Sequence, residues 1–397
     1  MKQKLSIEDL DLKGKRVFIR VDFNVPLGPD RTIQDDTRIK ASLPTIRYAI
    51  EKGAKGIILA SHLGRPKGKR DEGASMKPVA ERLEELLKRP VAMASDCIGP
   101  EVAKMVQSLK NGEVLMLENL RFHEGETKND PEFAKKLAEL ADLYVDDAFG
   151  AAHRAHASVS GMANYFAQRA CGFLMKKEIE YLGRILTNPE KPFIAIMGGA
   201  KVSDKLEVLE NLLGKVNAIL VGGGMAYTFL RATGLEVGTS LVEEEKIGFA
   251  GDILAKASGM GVEILLPKDC VVSTAIEDEA SAKTVNVDAI PKDRMGLDIG
   301  PETIALFKSA IKDSKTVFWN GPMGVFEKKA FSSGTMAVAV AISQTKCLSV
   351  VGGGDSVAAL HEAGVEGKIT HVSTGGGASL EFLSGLGLPG LDALTDK

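Results

Sequence analysis

Apolar runs of three to six residues, with no polar alternation, recur along the whole chain. In the first half they are Arg16 to Val21, Gly56 to Ala60, Val91 to Ala94, Val114 to Leu117 and Leu143 to Val145. In the second they are Phe193 to Ile196, Ala218 to Val221, Glu263 to Leu266, Thr316 to Trp319, Leu348 to Val351 and Ile369 to Val372. Runs this short and this continuous read as strands covered on both faces. Amphipathic stretches such as Met76 to Leu87 and Glu101 to Leu109 lie between them, and that alternation predicts parallel sheets flanked by helices. Near Phe173 the pattern lengthens into one helix, FLMKKEIEYLGRIL, with Met175, Ile179, Leu182 and Leu186 on one face, stopped by Thr187, Asn188 and Pro189. The expected fold is α/β, with two doubly wound, Rossmann-like parallel-sheet domains joined by a hinge helix.

One stretch organises the second half: KPFIAIMGGAKVSDKLEVLENLL, Lys191 to Leu213. The strand ends in Gly198 and Gly199, and Val202, Leu206, Leu209 and Leu213 then recur at helical spacing. Strand is expected to pass directly into helix, leaving N–H groups and the positive end of the helix dipole for an anion. Lys201 and Lys205 would stand one helical turn apart on the same side. A plain turn with two solvated lysines accounts for the same residues, and no Walker-type Gly-Lys-Ser/Thr is present. Other strands here also end in glycine: Gly222 to Gly224, Gly321, Gly352 to Gly354 and Gly375 to Gly377. Several such turns on one edge are expected where phosphates or a flat base approach the backbone closely. In VVGGGDSVAAL, Asp355 is a candidate magnesium ligand and Ser356 a candidate phosphate donor, although both residue types are also common helix N-caps. Asn320 falls at the same edge, with Glu327 a few residues on.

In the first half charged groups collect where strands end: Asp22 and Asn24, His62 and Arg65, Glu118 and Arg121, Asp146 and Asp147. Ligands bind at that edge of open parallel sheets. Arg38, Arg65, Arg121 and Arg154, with His62, His153 and His156, would suit a small, strongly anionic substrate, because the planar guanidinium grips phosphate and carboxylate with paired hydrogen bonds. Taken singly, each arginine is equally a surface ion pair and each histidine a hydrogen-bonded scaffold.

Composition narrows the setting. A chain of 397 residues exceeds what one core usually serves, so two domains are expected. A formal net charge of −3 offers no global attraction to nucleic acid or anionic membrane, which makes any anion site a local cluster. Cys97, Cys171, Cys270 and Cys347 are scattered, with no CxxC pair, and suggest buried reduced thiols rather than a zinc site or a disulfide framework. No apolar run approaches the roughly 20 residues of a membrane span, and MKQKLSIEDLDLKGK has no apolar signal core, so a cytoplasmic protein is expected.

A set of motifs in order along the chain resembles the phosphoglycerate kinase family: VDFNVP (Val21 to Pro26), DDTRI (Asp35 to Ile39), SHLGRP (Ser61 to Pro66), LENLRF (Leu117 to Phe122), DDAFGAAHRAHAS (Asp146 to Ser158), MGGAKVSDK (Met197 to Lys205), MGLDIGP (Met295 to Pro301), WNGPMGVFE (Trp319 to Glu327), GGGDS (Gly352 to Ser356) and STGGGASLE (Ser373 to Glu381). The resemblance implies a phosphoglycerate-binding domain over 1–172, a hinge helix over 173–187, a nucleotide-binding domain over 188–382 and a tail, 383–397, that returns to the first domain. It implies 3-phosphoglycerate or 1,3-bisphosphoglycerate at Asp22, Phe23, Asn24, Arg38, His62, Leu63, Gly64, Arg65, Arg121 and Arg154. It likewise implies ADP or ATP with Mg2+ at Gly199, Ala200, Lys201, Lys205, Gly224, Gly296, Asn320, Glu327, Gly353, Gly354, Asp355 and Ser356, with Asp355 on the metal and Glu327 on the ribose. Both nucleophiles of that reaction are ionised at neutral pH, so no general base is required. Arg38, Lys201 and the backbone near Gly354 and Gly376 are assigned to the migrating phosphoryl group. A monomer is implied, with no nucleic-acid or membrane partner. Without the resemblance, a nucleotide-linked dehydrogenase and a two-domain anion-binding protein stay open; the missing GxGxxG spacing counts against the first and the missing signal core against the second.

Overall fold

The computed structural model describes residues 2–397. They form two compact units, one made of the chain up to Glu180 together with Gly387–Lys397, the other of Tyr181–Leu386. The division falls inside the helix Phe173–Thr187.

In the first unit β1 (Arg16–Val21), β2 (Gly56–Ala60), β3 (Val91–Met93), β4 (Glu113–Met116), β5 (Leu143–Asp147) and β6 (Arg169–Cys171) make a sheet in the order β3-β4-β2-β1-β5-β6. Every pairing is parallel. The helix Thr37–Glu51 presents Ile39, Leu43 and Ile46 at i, i+4, i+7 spacing to the core that holds Val17, Ile19, Ile57 and Leu59. β6 was not visible in the apolar pattern, because its three residues, RAC, carry no periodicity. The chain's end pairs beside it: Thr395 N–H donates to Arg169 O at 3.0 Å, Leu5 N–H to Thr395 O at 2.8 Å and Gly390 N–H to Ala152 O at 2.9 Å.

The second unit contains β7 (Phe193–Met197), β8 (Ala218–Val221), β9 (Glu263–Leu265), β10 (Asp269–Ser273), β11 (Lys283–Asn286), β12 (Met295–Ile299), β13 (Thr316–Asn320), β14 (Leu348–Gly352) and β15 (His371–Val372). Six of them form a parallel sheet, β15-β14-β13-β7-β8-β9, around Val317, Trp319, Ile194 and Ile196. The other three form a small antiparallel sheet, β11-β10-β12, which departs from a wholly parallel plan. The apolar pattern did not announce it, since β11 is KTVN and largely exposed.

Each large sheet has a point where the chain leaves its first strand in both directions. β1 lies between β2 and β5, and β7 between β8 and β13. Such points open a crevice at the carboxyl ends of the strands, where ligands of this architecture bind.

Candidate active site

At the carboxyl edge of the first sheet the positive charge is carried by side chains locked to one another. Arg20, inside β1 and fully buried, donates from Nε to Ser158 Oγ (2.8 Å), from Nη1 to Val21 O, and from Nη2 toward His62 Nδ1 (3.2 Å). A guanidinium only donates, so Nδ1 of His62 must accept and its proton sits on Nε2. Burial first, then Arg20 and Arg121, hold His62 well below its ordinary pKa, so it is a neutral donor. Arg121 donates from Nη1 to Gly64 O (2.8 Å), while its buried Nε has no hydrogen-bond partner among the described residues. Its pKa falls to about 10, through burial and then Arg154 and Arg20. His156 falls to about 4 by burial, Arg121, Arg20 and Arg154. Each of these shifts reports burial first and neighbouring positive charge second. Arg38 Nη1 pairs with Asp22, and buried Glu126 accepts from Ser158 N–H (2.9 Å) and Oγ (2.6 Å), which offsets part of it.

At the corresponding edge of the second sheet the material is mostly backbone. Gly198 N–H donates to Asn320 O (3.0 Å), Gly199 N–H to Pro322 O (2.8 Å) and Met225 N–H to Gly199 O (3.0 Å). These bonds hold the segment after β7 against its neighbours, so it does not enter a helix at once. A 3-10 turn, Ser203–Lys205, intervenes and the α-helix begins only at Leu206. Lys201 and Lys205 are therefore not one helical turn apart: Lys201 is exposed in the preceding loop, and Lys205 is buried with its ammonium on Asn320 Oδ1. Burial lowers Lys205 to about 8, against the opposing pull of Asp204 and Asp355.

The glycines of this edge fall into two groups. A Cβ on Gly198 would lie 2.1 Å from Pro322 O, one on Gly223 2.6 Å from Gly199 N, and one on Gly321 2.3 Å from Gly198 O. These let neighbouring turns touch each other, which corrects the expectation that a ligand explains all of them. Gly354 and Gly376 differ, because a Cβ there would meet nothing within 4 Å. Gly354 opens the helix Gly354–Glu362, and Asp355 follows it exposed in the first turn. The N-cap position belongs to Gly353, not Asp355.

The match to known proteins covers nearly the whole chain. The family model described as phosphoglycerate kinase matches residues 7–386. The phosphoglycerate kinase of Anaeromyxobacter sp. (strain Fw109-5) is 58% identical over 391 residues, 98% of each chain, and that of Dictyoglomus turgidum is 56% identical over 99% of this chain and 98% of its own. This chain belongs to the phosphoglycerate kinase family. Among solved structures, the phosphoglycerate kinase from Coxiella burnetii superposes with a TM-score of 0.89 at 42% identity, and that from Pyrococcus horikoshii OT3 with 0.87 at 37%, each covering 98% of both chains. The chain is thus a phosphotransferase, a kinase with a carboxyl acceptor.

Within that family frame, the residues singled out from sequence divide by what they touch. Asp22, Arg38, His62, Arg121 and Arg154 gather at the edge of the first sheet, with Asn24 Oδ1 accepting Gly64 N–H (2.9 Å) and Arg65 exposed on the same turn. Phe23 and Leu63 are core residues: Phe23 N–H donates to Ser61 Oγ, and Asn119 holds both the N–H and the C=O of Leu63. Glu118, Asp146 and Asp147 are buried, and Glu118 accepts from Ser75 Oγ and from Met76 and Asn119 N–H, so it turns inward. In the second unit Ser356 is wholly buried and its Oγ accepts Gly321 N–H (2.7 Å), while Asn320 spends Nδ2 on Gly352 O (2.9 Å). These two support the edge from below. Gly296 N–H donates to Ser240 Oγ, and a Cβ there would lie 1.7 Å from Tyr227 Oη, so this glycine makes room for a ring. Gly224 begins the helix Met225–Ala232; Ala200 and Glu327 are exposed. Arg20 was missed; its signal was a charge in the middle of the apolar run that follows Arg16 in RVFIRV.

Proposed function

We propose that this chain moves the acyl phosphate of 1,3-bisphosphoglycerate to ADP, reversibly, giving 3-phosphoglycerate and ATP, with the phosphoglycerate on the basic edge and the nucleotide on the glycine-rich edge. The observation that carries this division is the cluster of Arg20, Arg121, Arg154, His62 and His156, in which burial and then the neighbouring positive charges lower Arg121, His62 and His156, and in which Arg121 Nε has no partner among the described residues. A small polyanion relieves that repulsion. On the other edge, open space over Gly354 and Gly376 lets phosphate oxygens reach backbone N–H groups.

Neither direction needs a proton removed from the nucleophile, so the protein's task is alignment and charge compensation. Neutral His62 offers Nε2–H, Arg121 its free Nε–H and Arg38 a guanidinium anchored by Asp22. Exposed Lys201 is free to follow the migrating group, whereas Lys205, held by Asn320, meets the nucleotide phosphates. With the two ligands on different units, transfer requires closure around the reacting atoms and exclusion of water.

Nucleotide phosphates call for a divalent cation. The exposed carboxylate of Asp355, in the first turn beside the open space of Gly354, suits magnesium, which keeps several waters and takes one or two carboxylates plus phosphate oxygens. When bound, the ion supplies positive charge to the nucleotide's phosphates. Because both edges belong to one chain, a monomer suffices, and sedimentation at the monomer mass checks it. A cytoplasmic location fits this reading; among the described residues no helix is long and apolar enough to cross a membrane. The deciding experiment is ATP-dependent phosphorylation of 3-phosphoglycerate, followed by coupled reduction of the product. A protein that binds NADH or 3-phosphoglycerate but transfers no phosphoryl group would overturn the proposal.

A further inference from the structure

Outside the cluster that faces the phosphoglycerate, three ligand-bearing side chains of the first unit converge. Asp96 and Cys97 lie in the turn between β3 and the helix Pro100–Ser108, and His123 ends the 3-10 turn Leu120–Phe122 that follows β4. A carboxylate oxygen, Cys97 Sγ and an imidazole nitrogen all lie within 4.8 Å of one another. The fold fixes this meeting. β3 and β4 pair with Met93 opposite Met116, Ala94 N–H continues the pairing to Met116 O (2.9 Å), and so the two departing segments run side by side. Asp96 Oδ1 lies 2.7 Å from His123 Nε2 and accepts Cys97 N–H at 2.6 Å. The ring of Phe133 stacks on His123 at 5.2 Å between centroids, which sets the plane of the imidazole. Cys97 is buried at the floor, while Asp96 and His123 are half-buried at the rim, open to an ion arriving from solvent.

We propose that Asp96, Cys97 and His123 bind a zinc-class divalent ion, with water as the fourth ligand. One sulfur, one imidazole nitrogen and one carboxylate oxygen suit zinc or cobalt rather than the harder magnesium. Bond lengths of about 2.0–2.3 Å place tetrahedral ligand atoms roughly 3.3–3.6 Å apart. The trio reaches that spacing by small side-chain rotations, exchanging the Asp96–His123 hydrogen bond for two metal bonds. The Cys97 thiol proton leaves to solvent on binding, and dication, thiolate and carboxylate then sum to zero charge, which suits a half-buried place. Nearby Glu118 is not available as a fourth ligand, because its carboxylate is held by Ser75, Met76 and Asn119. The ion would tie the turn after β3 to the segment that presents Arg121, two residues before His123. Cysteine spacing could not show the site, since its ligands come from two distant stretches.

The test is an anaerobic titration of the reduced full-length protein with Co2+. Expected are one equivalent of tetrahedral cobalt with a thiolate-to-metal charge-transfer band, displacement by Zn2+, and a Tm raised by Zn2+. Cys97→Ser should abolish the band. His123→Gln and Asp96→Asn, at half-exposed positions where folding is retained, should weaken binding at least ~10-fold and remove the zinc-dependent rise in Tm. Absence of the band in the wild-type protein, a band undiminished in Cys97→Ser, or zinc stabilisation unchanged in His123→Gln would each overturn the proposal.

Discussion

The carboxyl edges of the two parallel sheets are built from different materials. On the first sheet the groups proposed to hold the phosphoglycerate are long cationic side chains, held in place by each other and by Ser158, Gly64 and Asp22. On the second, those proposed for the nucleotide are backbone segments, packed so closely at Gly198, Gly223 and Gly321 that a Cβ would clash there, with one buried lysine steadied by Asn320. Side chains give the first edge charge that does not depend on pH across the neutral range. Backbone gives the second a fixed shape with little charge, and makes it intolerant of substitution. The two edges should therefore fail in different ways.

The largest separation is expected from the residues assigned to the migrating phosphoryl group. Arg38→Ala should lower turnover on the order of a hundred- to thousand-fold while leaving ADP affinity nearly unchanged, because Arg38 belongs to the other unit. Lys201→Ala should cost turnover similarly. Steady-state rates beside equilibrium ADP titration decide it; near-normal turnover in the Arg38 variant removes that residue from the mechanism.

Next comes a pair that tests the two kinds of glycine. At Gly321 φ is +95° and a Cβ would lie 2.3 Å from Gly198 O. Gly321→Ala should cost about 2–4 kcal/mol, from the left-handed conformation and overpacking together. Gly354→Ala sits at a helix start with open space around it, so its stability should stay within about 0.5 kcal/mol of wild type while ADP binding weakens. Urea unfolding and ADP titration of both variants give the comparison. Normal ADP affinity in Gly354→Ala would mean the nucleotide lies elsewhere.

How much of this was legible in the sequence follows from the same contrast. Apart from β6, the strands of both large sheets were readable because continuous apolar runs survive burial on two faces, and the polar residues at their ends marked the edge. What the sequence could not show was direction. Glu118, Asp146 and Asp147 occupy edge positions yet are buried, and Ser356 and Asn320 lie beneath the glycine turns, because neighbouring backbone donors and acceptors claim them. The late helix start at Leu206 was hidden for a related reason: helical spacing from Val202 is real, but bonds from Gly198 and Gly199 to neighbouring turns prevail over it. β10 to β12 and β6 were too short or too mixed to register.

A third, smaller effect separates the edges by pH. Lys205, lowered to about 8 by burial, loses its charge in the free enzyme as pH rises through that value, so ADP affinity should fall by up to tenfold per unit above about pH 8. The unfolded lysine still holds its proton there, so stability should rise between about pH 8 and 10.5 while affinity falls. A loss of affinity caused by unfolding would have the opposite companion. Phosphoglycerate affinity should stay flat from about pH 7, above the roughly pH 6 second ionisation of its phosphate, to about pH 9, since Arg121 titrates near 10 and His156 near 4. Parallel Kd profiles for the two ligands check it, and a phosphoglycerate profile that breaks near 8 would contradict the contrast.

The smallest effect concerns the first unit's buried carboxyls. Asp147 is raised to about 8, mainly by burial, with help from Asp146 and against hydrogen bonds from Thr45 and Met175. Its Oδ1 accepts Met175 N–H (3.1 Å) at the start of the helix Phe173–Thr187, and its Oδ2 has no hydrogen-bond partner among the described residues. A carboxyl raised above its unfolded value of about 3.9 contributes stability in full below that value and loses it as pH rises through about 8. Asp147→Asn keeps the acceptor for Met175 but cannot ionise. The variant should therefore gain on wild type by roughly 1 kcal/mol between pH 7 and 9. Asp298, raised to about 7, leaves a common slope in both proteins, so the difference between the two unfolding curves reports Asp147 together with its coupling to Asp146. Parallel pH dependence in variant and wild type would mean that Asp147 is ionised in the folded chain, with a counter-charge reaching it that its burial at the root of this helix does not suggest.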